Sequence, residues 1–364
     1  MSSLPAKVTN LVKNSWARWM PPSSARDSIQ DSQPLTDLER VVQTGVLDPE
    51  VLAKHLRGTS LYGSNGAAVK EVQVRRVLKY HTDRRCTLEV AVRTEDGWQV
   101  LIAKIYRKDR SDLFEAMRGI QQAGFGSQDE LSIAQPFAYV PSLHCILVEK
   151  VEGARGDEIL KDSDEQSRVA MAERCALWLA GFHVRGPKAG SASDAREHLN
   201  SHSMQRCSRE VAKPGGILAD KSARLLQRLE EASTALQTVE LCPSHGSFSA
   251  AQVILARGRT VAFDWDKYCV ADPAHDVGRF LTAVRRLALL QLGSIRALDA
   301  AADVFRKTYL AGGPPKAEGN LRFFEATGCF KWAKHIVCHQ VPQWRENAET
   351  MLDEALAVLD REAA

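Results

Sequence analysis

The chain has 364 residues, long enough for one large or two smaller domains with real cores. Its 44% hydrophobic and 26% charged residues are those of a soluble globular protein, and a net charge of +3 is too small for a protein that tracks phosphates along nucleic acid. No run approaches the roughly 20 apolar residues of a membrane span, the N-terminus lacks the features of a signal peptide, and eight scattered cysteines without a CxxC pair read as reduced thiols in a cytoplasm.

The chain opens on Leu4, Val8, Leu11, Val12, Trp16 and Trp19 near helical spacing, with Lys7, Lys13 and Arg18 among them. A basic amphipathic helix of this kind can lie on an anionic membrane or against a protein partner. A helix docked on its own protein is the ordinary reading and the favoured one. Residues 21–34 are Pro, Ser and Asp rich and read as a linker. Thr36 with Glu39 makes a capping box, and Asp48 before Pro49 places an N-cap ahead of a proline at the first helical position. The period then changes. Residues 70–80, 84–93 and 98–106 are β-rich runs separated by polar turns, an antiparallel meander. A helix is predicted from near Asp112 to a Gly124 stop, followed by strands at 134–140 and 144–150.

After Gly153 the pattern is mainly helical. Ser163 with Gln166 predicts the cap of a helix running to about His183, and residues 218–238 another. A β patch at 252–264 interrupts, and helices return at about 275–291, 294–311, 321–340 and 346–362. Strands first and helices afterwards predict an α+β protein of two lobes. The expected division is an N-terminal segment and linker at 1–34, a sheet lobe at 35–150 and a helical lobe at 151–364. His335, Cys338 and His339 share a helical face at metal-ligand spacing, but a tetrahedral site needs a fourth ligand, so packed or solvated side chains are the reading.

Three segments of the second half carry chemistry. They are His245-Gly246-Ser247-Phe248 with Gln252 beyond it, Asp264-Trp265-Asp266 at the end of the β patch, and Asp272-Pro273-Ala274-His275-Asp276 at the start of a helix. An aspartate leaving a strand beside a polar loop residue suits magnesium, which takes hard oxygen ligands and only one or two of them from the protein. Lys104, inside the strand QVLIAKIYR, is placed to pair with phosphates.

The run HGSFSAAQVILARGRTVAFDWDKYCVADPAHDVGRF resembles the catalytic segment of the aminoglycoside phosphotransferase and choline kinase superfamily. That segment reads His-Gly-Asp, four residues, Asn, a hydrophobic strand ending Ile-Asp-Trp/Phe-Glu/Asp, then Gly-Asp-Pro and Asp-Leu. IAKIYR resembles the family's lysine strand and ILVEKVEG its hinge, so the likeness covers roughly residues 60–340. It implies a bilobal protein-kinase-like fold, a small antiparallel-sheet lobe and a larger helical lobe, with ATP and magnesium between them. Lys104 would hold the nucleotide phosphates, with Glu115 as the candidate to steady it, although Glu115 also suits a capping box with Asp112. The backbone of Glu149, Lys150 and Val151 would meet the adenine. Gln252, Asp264 and Asp266 would serve the metal, Asp264 as principal ligand. His245 and Asp276 would be structural; for Asp272 and Asp276, helix capping and bracing are expected together.

Ser247 stands where the family has the aspartate that takes the proton from the acceptor hydroxyl, and Gln252 where it has asparagine. A serine hydroxyl is no base near neutral pH. General-base catalysis contributes about 10²–10⁴-fold, whereas phosphoryl transfer depends mainly on positioning and electrostatics. Nucleotide binding is therefore expected to survive, and turnover to persist slowly or through another proton acceptor, with Asp266 and the substrate itself as candidates. A phosphotransferase acting on a hydroxyl of a small molecule, peptide or lipid-linked substrate and a pseudokinase regulator or scaffold stand near parity, the transferase slightly ahead; transfer of another part of ATP is a weaker third. Residues 185–228 carry nine Lys and Arg against four acids. An ordinary solvated face explains this by default; if that surface lines a pocket, it favours an anionic acceptor.

Overall fold

The computed structural model describes residues 49–57, 59, 61, 68–81, 85–193 and 202–361. The amphipathic stretch 1–20, the linker 21–34, the Thr36–Glu39 capping pair and Asp48 lie outside them. The chain divides into two compact units, one holding the residues up to Arg118 and Ala134–Val151, the other Gly119–Ile133 and Glu152 onward. Residues 119–133 thus belong with the second unit and not, as the sequence division at 150 had it, with the sheet.

In the first unit, helix α1 (Pro49–Leu56) begins on the proline, as its fixed φ favours. Strands β1 (Glu71–His81), β2 (Arg85–Thr94) and β3 (Gly97–Tyr106) form the expected meander, helix α2 (Ser111–Gln122), whose last turn is counted with the second unit, follows, and β5 (Pro136–Val140) and β6 (Cys145–Glu149) complete a sheet in the order β1-β2-β3-β6-β5, every pair antiparallel. One face is apolar. Leu88, Val90, Val92, Leu101, Ala103 and Ile105 alternate inward onto a core shared with Leu52 and Leu56 of α1. The opposite face carries Lys104, because register sets it across from Thr87 and Ile146 while Glu89 stands across from Ile102. Just ahead of α2 the Asp109 carboxylate accepts from the Ser111 N–H at 2.8 Å, and the Arg110 carbonyl takes the first bonds of the helix.

The second unit gathers β4 (Leu131–Ile133), β7 (Ala154–Arg155), β10 (Val253–Ala256) and β11 (Arg259–Ala262) into a sheet of order β4-β11-β10-β7, and β8 (Ala192–Ser193), β9 (Cys242–Ser244) and β12 (Cys269–Ala271) into another of order β8-β12-β9. Its helices are α3 (Gly156–Asp162), α4 (Glu165–Arg185), α5 (His202–Ala212), α6 (Ile217–Thr234), α7 (Pro273–Leu292), α8 (Asp299–Gly312), α9 (Leu321–His339) and α10 (Trp344–Asp360). Asp164 caps α4 by accepting from the Ser167 N–H at 2.7 Å. The sequence placed that cap on Ser163, which instead closes α3. The core is aromatic: Trp178 stacks on Phe182 and Phe248 at 5.2 and 5.4 Å between centroids, and Phe125 and Trp265 pack against the same rings. The indole N–H of Trp178 donates to the Ser132 carbonyl at 2.9 Å, tying α4 to β4.

All eight cysteines are free thiols. The His335 and His339 rings stack at 4.0 Å, and a His339 ring nitrogen bonds the His335 carbonyl at 2.9 Å, so helix-local contacts occupy that face. No helix among the described residues is long and apolar enough to cross a membrane.

Candidate active site

The β10–β11 hairpin and the helix that follows it organise the chemistry of the second unit. Val253 pairs with Ala262, and the Phe263 N–H donates to the Gln252 carbonyl at 3.0 Å. This register sets Gln252 beside the residue that precedes Asp264. Asp264 itself has φ of 71°, the left-handed region that few residues other than glycine and Asn or Asp enter without cost. Backbone strain of this kind concentrates at functional sites, held there by the surrounding fold. Asp264 and Asp266 are half-buried, and the Gln252 side-chain oxygen accepts from the Ser249 hydroxyl. Two carboxylates and an amide are a hard-oxygen set of the kind magnesium takes when phosphates and water complete its shell. No cluster of three or more His, Cys, Asp or Glu fit to hold a metal occurs among the described residues.

The serine loop is built from β9. Gly246 has φ of +74°, and a Cβ there would sit 2.0 Å from the Lys267 carbonyl oxygen, so only glycine lets the loop lie against the backbone of Lys267. Asp276, fully buried near the start of α7, braces this loop. Its Oδ2 accepts from the Ser244 hydroxyl at 2.8 Å and the His245 backbone N–H at 2.6 Å, with His183 Nε2 at 3.4 Å. Burial alone would raise the Asp276 pKa; the hydrogen bond from His183 and the charges of His275, His183 and His245 outweigh it and hold the carboxyl below its ordinary range. Asp272 divides the work differently. It caps α7 by accepting from the Ala274 N–H at 2.8 Å and also accepts from Asn320 Nδ2 at 2.6 Å. Capping and bracing therefore coexist at Asp272, whereas the hydrogen bonds of Asp276 are those of a brace.

His245 is held by a backbone carbonyl that fixes its tautomer. Its Nε2 lies 3.0 Å from the Phe263 carbonyl, which can only accept, so Nε2 carries the hydrogen. Burial pushes the ring's pKa down, which keeps it neutral and leaves Nδ1 a bare acceptor. Ser247 Oγ lies 3.3 Å from that Nδ1 and donates to it. A ring nitrogen two residues before the serine thus stands within hydrogen-bond reach of its hydroxyl, where sequence reading had considered Asp266 and the substrate. The spacing of His and Ser in one short loop was visible in the sequence, but the tautomer that makes the histidine an acceptor depends on a carbonyl 18 residues away.

In the first unit, Lys104 is half-buried on the non-core face of β3. Glu115 is exposed and pairs with Arg118 one turn along α2, at 3.5 Å. Glu149 ends β6; its N–H donates to the Gln135 carbonyl at 2.8 Å and its carboxylate accepts from the Gln135 N–H at 3.2 Å. Lys150 and Val151 follow, both half-buried. Sequence reading missed Glu89. On the face that carries Lys104, this residue is 5% exposed and its carboxylate is bonded by Arg76 at 2.7 and 2.9 Å, with Lys150 Nζ at 3.4 Å. Burial would raise its pKa, and the Arg76 and Lys150 charges reverse the shift.

A family model described as "Phosphotransferase enzyme family" matches residues 87–318. No curated protein matches the chain. Among solved structures, the chain is similar to a thermostable mutant of aminoglycoside phosphotransferase APH(4)-Ia in ternary complex with ADP and hygromycin B, at 13% identity and a TM-score of 0.56 over 86% of this chain and 99% of that one. It is also similar to a glucosamine kinase in complex with glucosamine, ADP and inorganic phosphate, at 13% identity and a TM-score of 0.56 over 79% and 81% of the two chains. A choline/ethanolamine kinase family protein from Mesorhizobium loti matches at 15% identity and a TM-score of 0.50 over 75% and 85%. An antiparallel-sheet unit followed by a helical unit, matched by that family model over well more than half its length, places the chain in the phosphotransferase enzyme family, with the kinase-like α+β fold of the aminoglycoside and choline kinases.

Proposed function

We propose that the protein transfers the terminal phosphoryl group of ATP to an acceptor hydroxyl, using Ser247 and His245 as the path for the acceptor's proton. The neighbouring phosphotransferase and glucosamine kinase were both solved with ADP, which supports an adenine nucleotide as donor. Lys104 would bind its phosphates, and the backbone of Glu149 to Val151 its base. Asp264, Asp266 and Gln252 would hold magnesium, which when bound neutralises charge on the phosphate oxygens.

The carrying observation is the Ser247–His245 hydrogen bond, directed by the pinned Nε2–H. As the acceptor oxygen bonds to the γ-phosphorus and the bond from that phosphorus to the β–γ bridging oxygen breaks, releasing ADP, the acceptor's proton passes to Ser247 Oγ and the serine proton to His245 Nδ1. The resulting imidazolium has both N–H groups bonded, one to the Phe263 carbonyl and one to the serine. The Asp276 and Asp264 charges favour that protonated form, although burial opposes it.

Magnesium-ATP should raise the melting temperature of the wild type, and the rise should shrink in Asp264→Ala. ADP formation should fall by about 10²–10⁴-fold in Ser247→Ala, the usual range for loss of a proton acceptor. A second reading, a regulator or scaffold without turnover, is favoured by the missing carboxylate at position 247; absence of any nucleotide-induced shift would leave that reading alone.

A further inference from the structure

Tyr309 of α8 is fully buried, and two series of contacts lead from it to either side of Ser247. The first is polar. The Tyr309 hydroxyl and His183 Nδ1 bond each other at 2.7 Å, and His183 Nε2 reaches Asp276 Oδ2 at 3.4 Å. The same Oδ2 takes the Ser244 hydroxyl and the His245 N–H, and the Ser244 oxygen in turn accepts from the Gly246 N–H at 3.2 Å. Ser244, His245 and Gly246 therefore all hang on Asp276. The second series is aromatic. Phe248, the residue after Ser247, stacks on Phe280 of α7 at 5.9 Å, Phe280 on Phe305 of α8 at 3.7 Å, and Phe305 lies nearly parallel to the Tyr309 ring at 6.3 Å.

The polar series has a direction. A carboxylate only accepts, so Nε2 of His183 carries its hydrogen, and Nδ1 is left to the phenol, which can donate to it or accept from it. Without the phenol the ring loses the bond that sets its plane, and its grip on Asp276 weakens. Asp276 depends on that grip. Its Oδ1 is buried with no hydrogen-bond partner among the described residues, so the orientation of the carboxylate rests on the bonds to Oδ2. Ring packing alone does not call for the Tyr309 hydroxyl. Phe280 and Phe305 fill the neighbouring places without one, and a buried phenol costs free energy unless its hydroxyl is bonded.

We propose that His183 and Tyr309 are positioning residues for the reaction: acting through Asp276, they hold the serine loop where His245 offers Nδ1 to the Ser247 hydroxyl. They work on the loop and not on the acceptor. The proposal rests on the phosphotransferase reading for the word reaction, but the hold on the loop is independent of nucleotide. The stacked rings fix the far side of the same loop at Phe248, so removal of the hydroxyl alone loosens one side and leaves the other in place.

Two measurements on the full chain set this apart from a merely structural role. In nitrogen NMR spectra of the histidine rings, with His245 assigned from a His245→Gln sample, the wild type should show His245 as the Nε2–H tautomer alone. Tyr309→Phe, which keeps the ring stack, and His183→Phe should each show a mixture of tautomers. His183→Gln, which keeps a donor for Asp276, should restore the wild-type pattern. The second measurement is ADP formation from magnesium-ATP with water as acceptor. Here kcat and kcat/KM should fall together, by about tenfold in Tyr309→Phe and about 10²-fold in His183→Phe, the scale of a slightly misplaced reacting group, and His183→Gln should recover most of the larger loss. An unchanged kcat, or an unchanged His245 spectrum, in the two phenylalanine variants would overturn the proposal, whatever happened to the melting temperature; should His183→Phe fail to fold, Tyr309→Phe decides. If the wild type forms no ADP, the transferase reading falls, and the ring spectra alone decide whether His183 and Tyr309 hold the loop.

Discussion

A single hydrogen atom decides how Ser247 is read. With Nε2–H of His245 committed to the Phe263 carbonyl, the serine faces an acceptor and can pass a proton on; with the other tautomer it would face a donor and could not. The histidines around the site also carry a pH signature. Burial lowers the His275 pKa from its ordinary 6.5 to about 4, with Asp276 opposing the shift. Because the unfolded chain takes up the proton first, stability is complete above pH 6.5 and is lost as pH falls toward about 4. A shift of this size is worth up to about 3 kcal/mol, and His245 adds in the same direction. Urea midpoints measured between pH 7 and pH 4 should fall steadily, and the slope should be smaller in His275→Phe.

At the scale of elements, α7 is fixed at its first turn. Asp272 caps the helix and receives Asn320, whose amide also donates to the Gln237 carbonyl at 2.9 Å. Asp272→Ala removes the cap and orphans one bond of a buried amide, so it should cost about 2–4 kcal/mol in chemical unfolding, well above the roughly 1 kcal/mol of an ordinary cap. Elements of this kind were readable from sequence where the signal is local. The three strands of the meander, the proline start of α1 and the four last helices lie within a few residues of their predicted places, because period and caps are properties of short windows. The failures have a common cause. Ser163 and Asp164 are adjacent and both are capping residues, so only geometry chooses between them. Glu89 sits in a run read only as a strand, and nothing near it in sequence announces Arg76 or Lys150 as its partners. Of the nine cations counted along 185–228, Lys188, Lys213, Lys221 and Arg228 pair with Glu240, Glu210, Glu349 and Asp360, acids that a count along one stretch of chain cannot assign to them.

In the second unit as a whole, ion pairs fasten the last helix to the rest. Glu354 of α10 is 3% exposed at its side chain; it accepts from Arg361 at 2.9 Å and from Arg296 on its other oxygen, and Arg285 Nε of α7 lies in ion-pair range at 3.1 Å. Removing the shared anion leaves three guanidiniums facing one another, one of them buried. Glu354→Gln should therefore destabilise by about 3–5 kcal/mol, the usual result of breaking a buried pair from one side, and a double variant that also replaces Arg285 with Met should recover part of the loss. Calorimetric melting of the three proteins checks both statements. The order of motifs along the chain was enough to assign the family-like fold, because spacing between a lysine strand, a serine loop and an aspartate survives large changes in the residues between them.

The sheet β4-β11-β10-β7 draws its strands from residues 131–133, 154–155 and 253–262. During synthesis its first edge leaves the ribosome more than a hundred residues before the central hairpin that completes it. Growing chains stalled short of residue 262 should therefore expose β4 and the Trp178 side of α4 to chaperones and proteases, whereas those stalled beyond it should gain protection in one step.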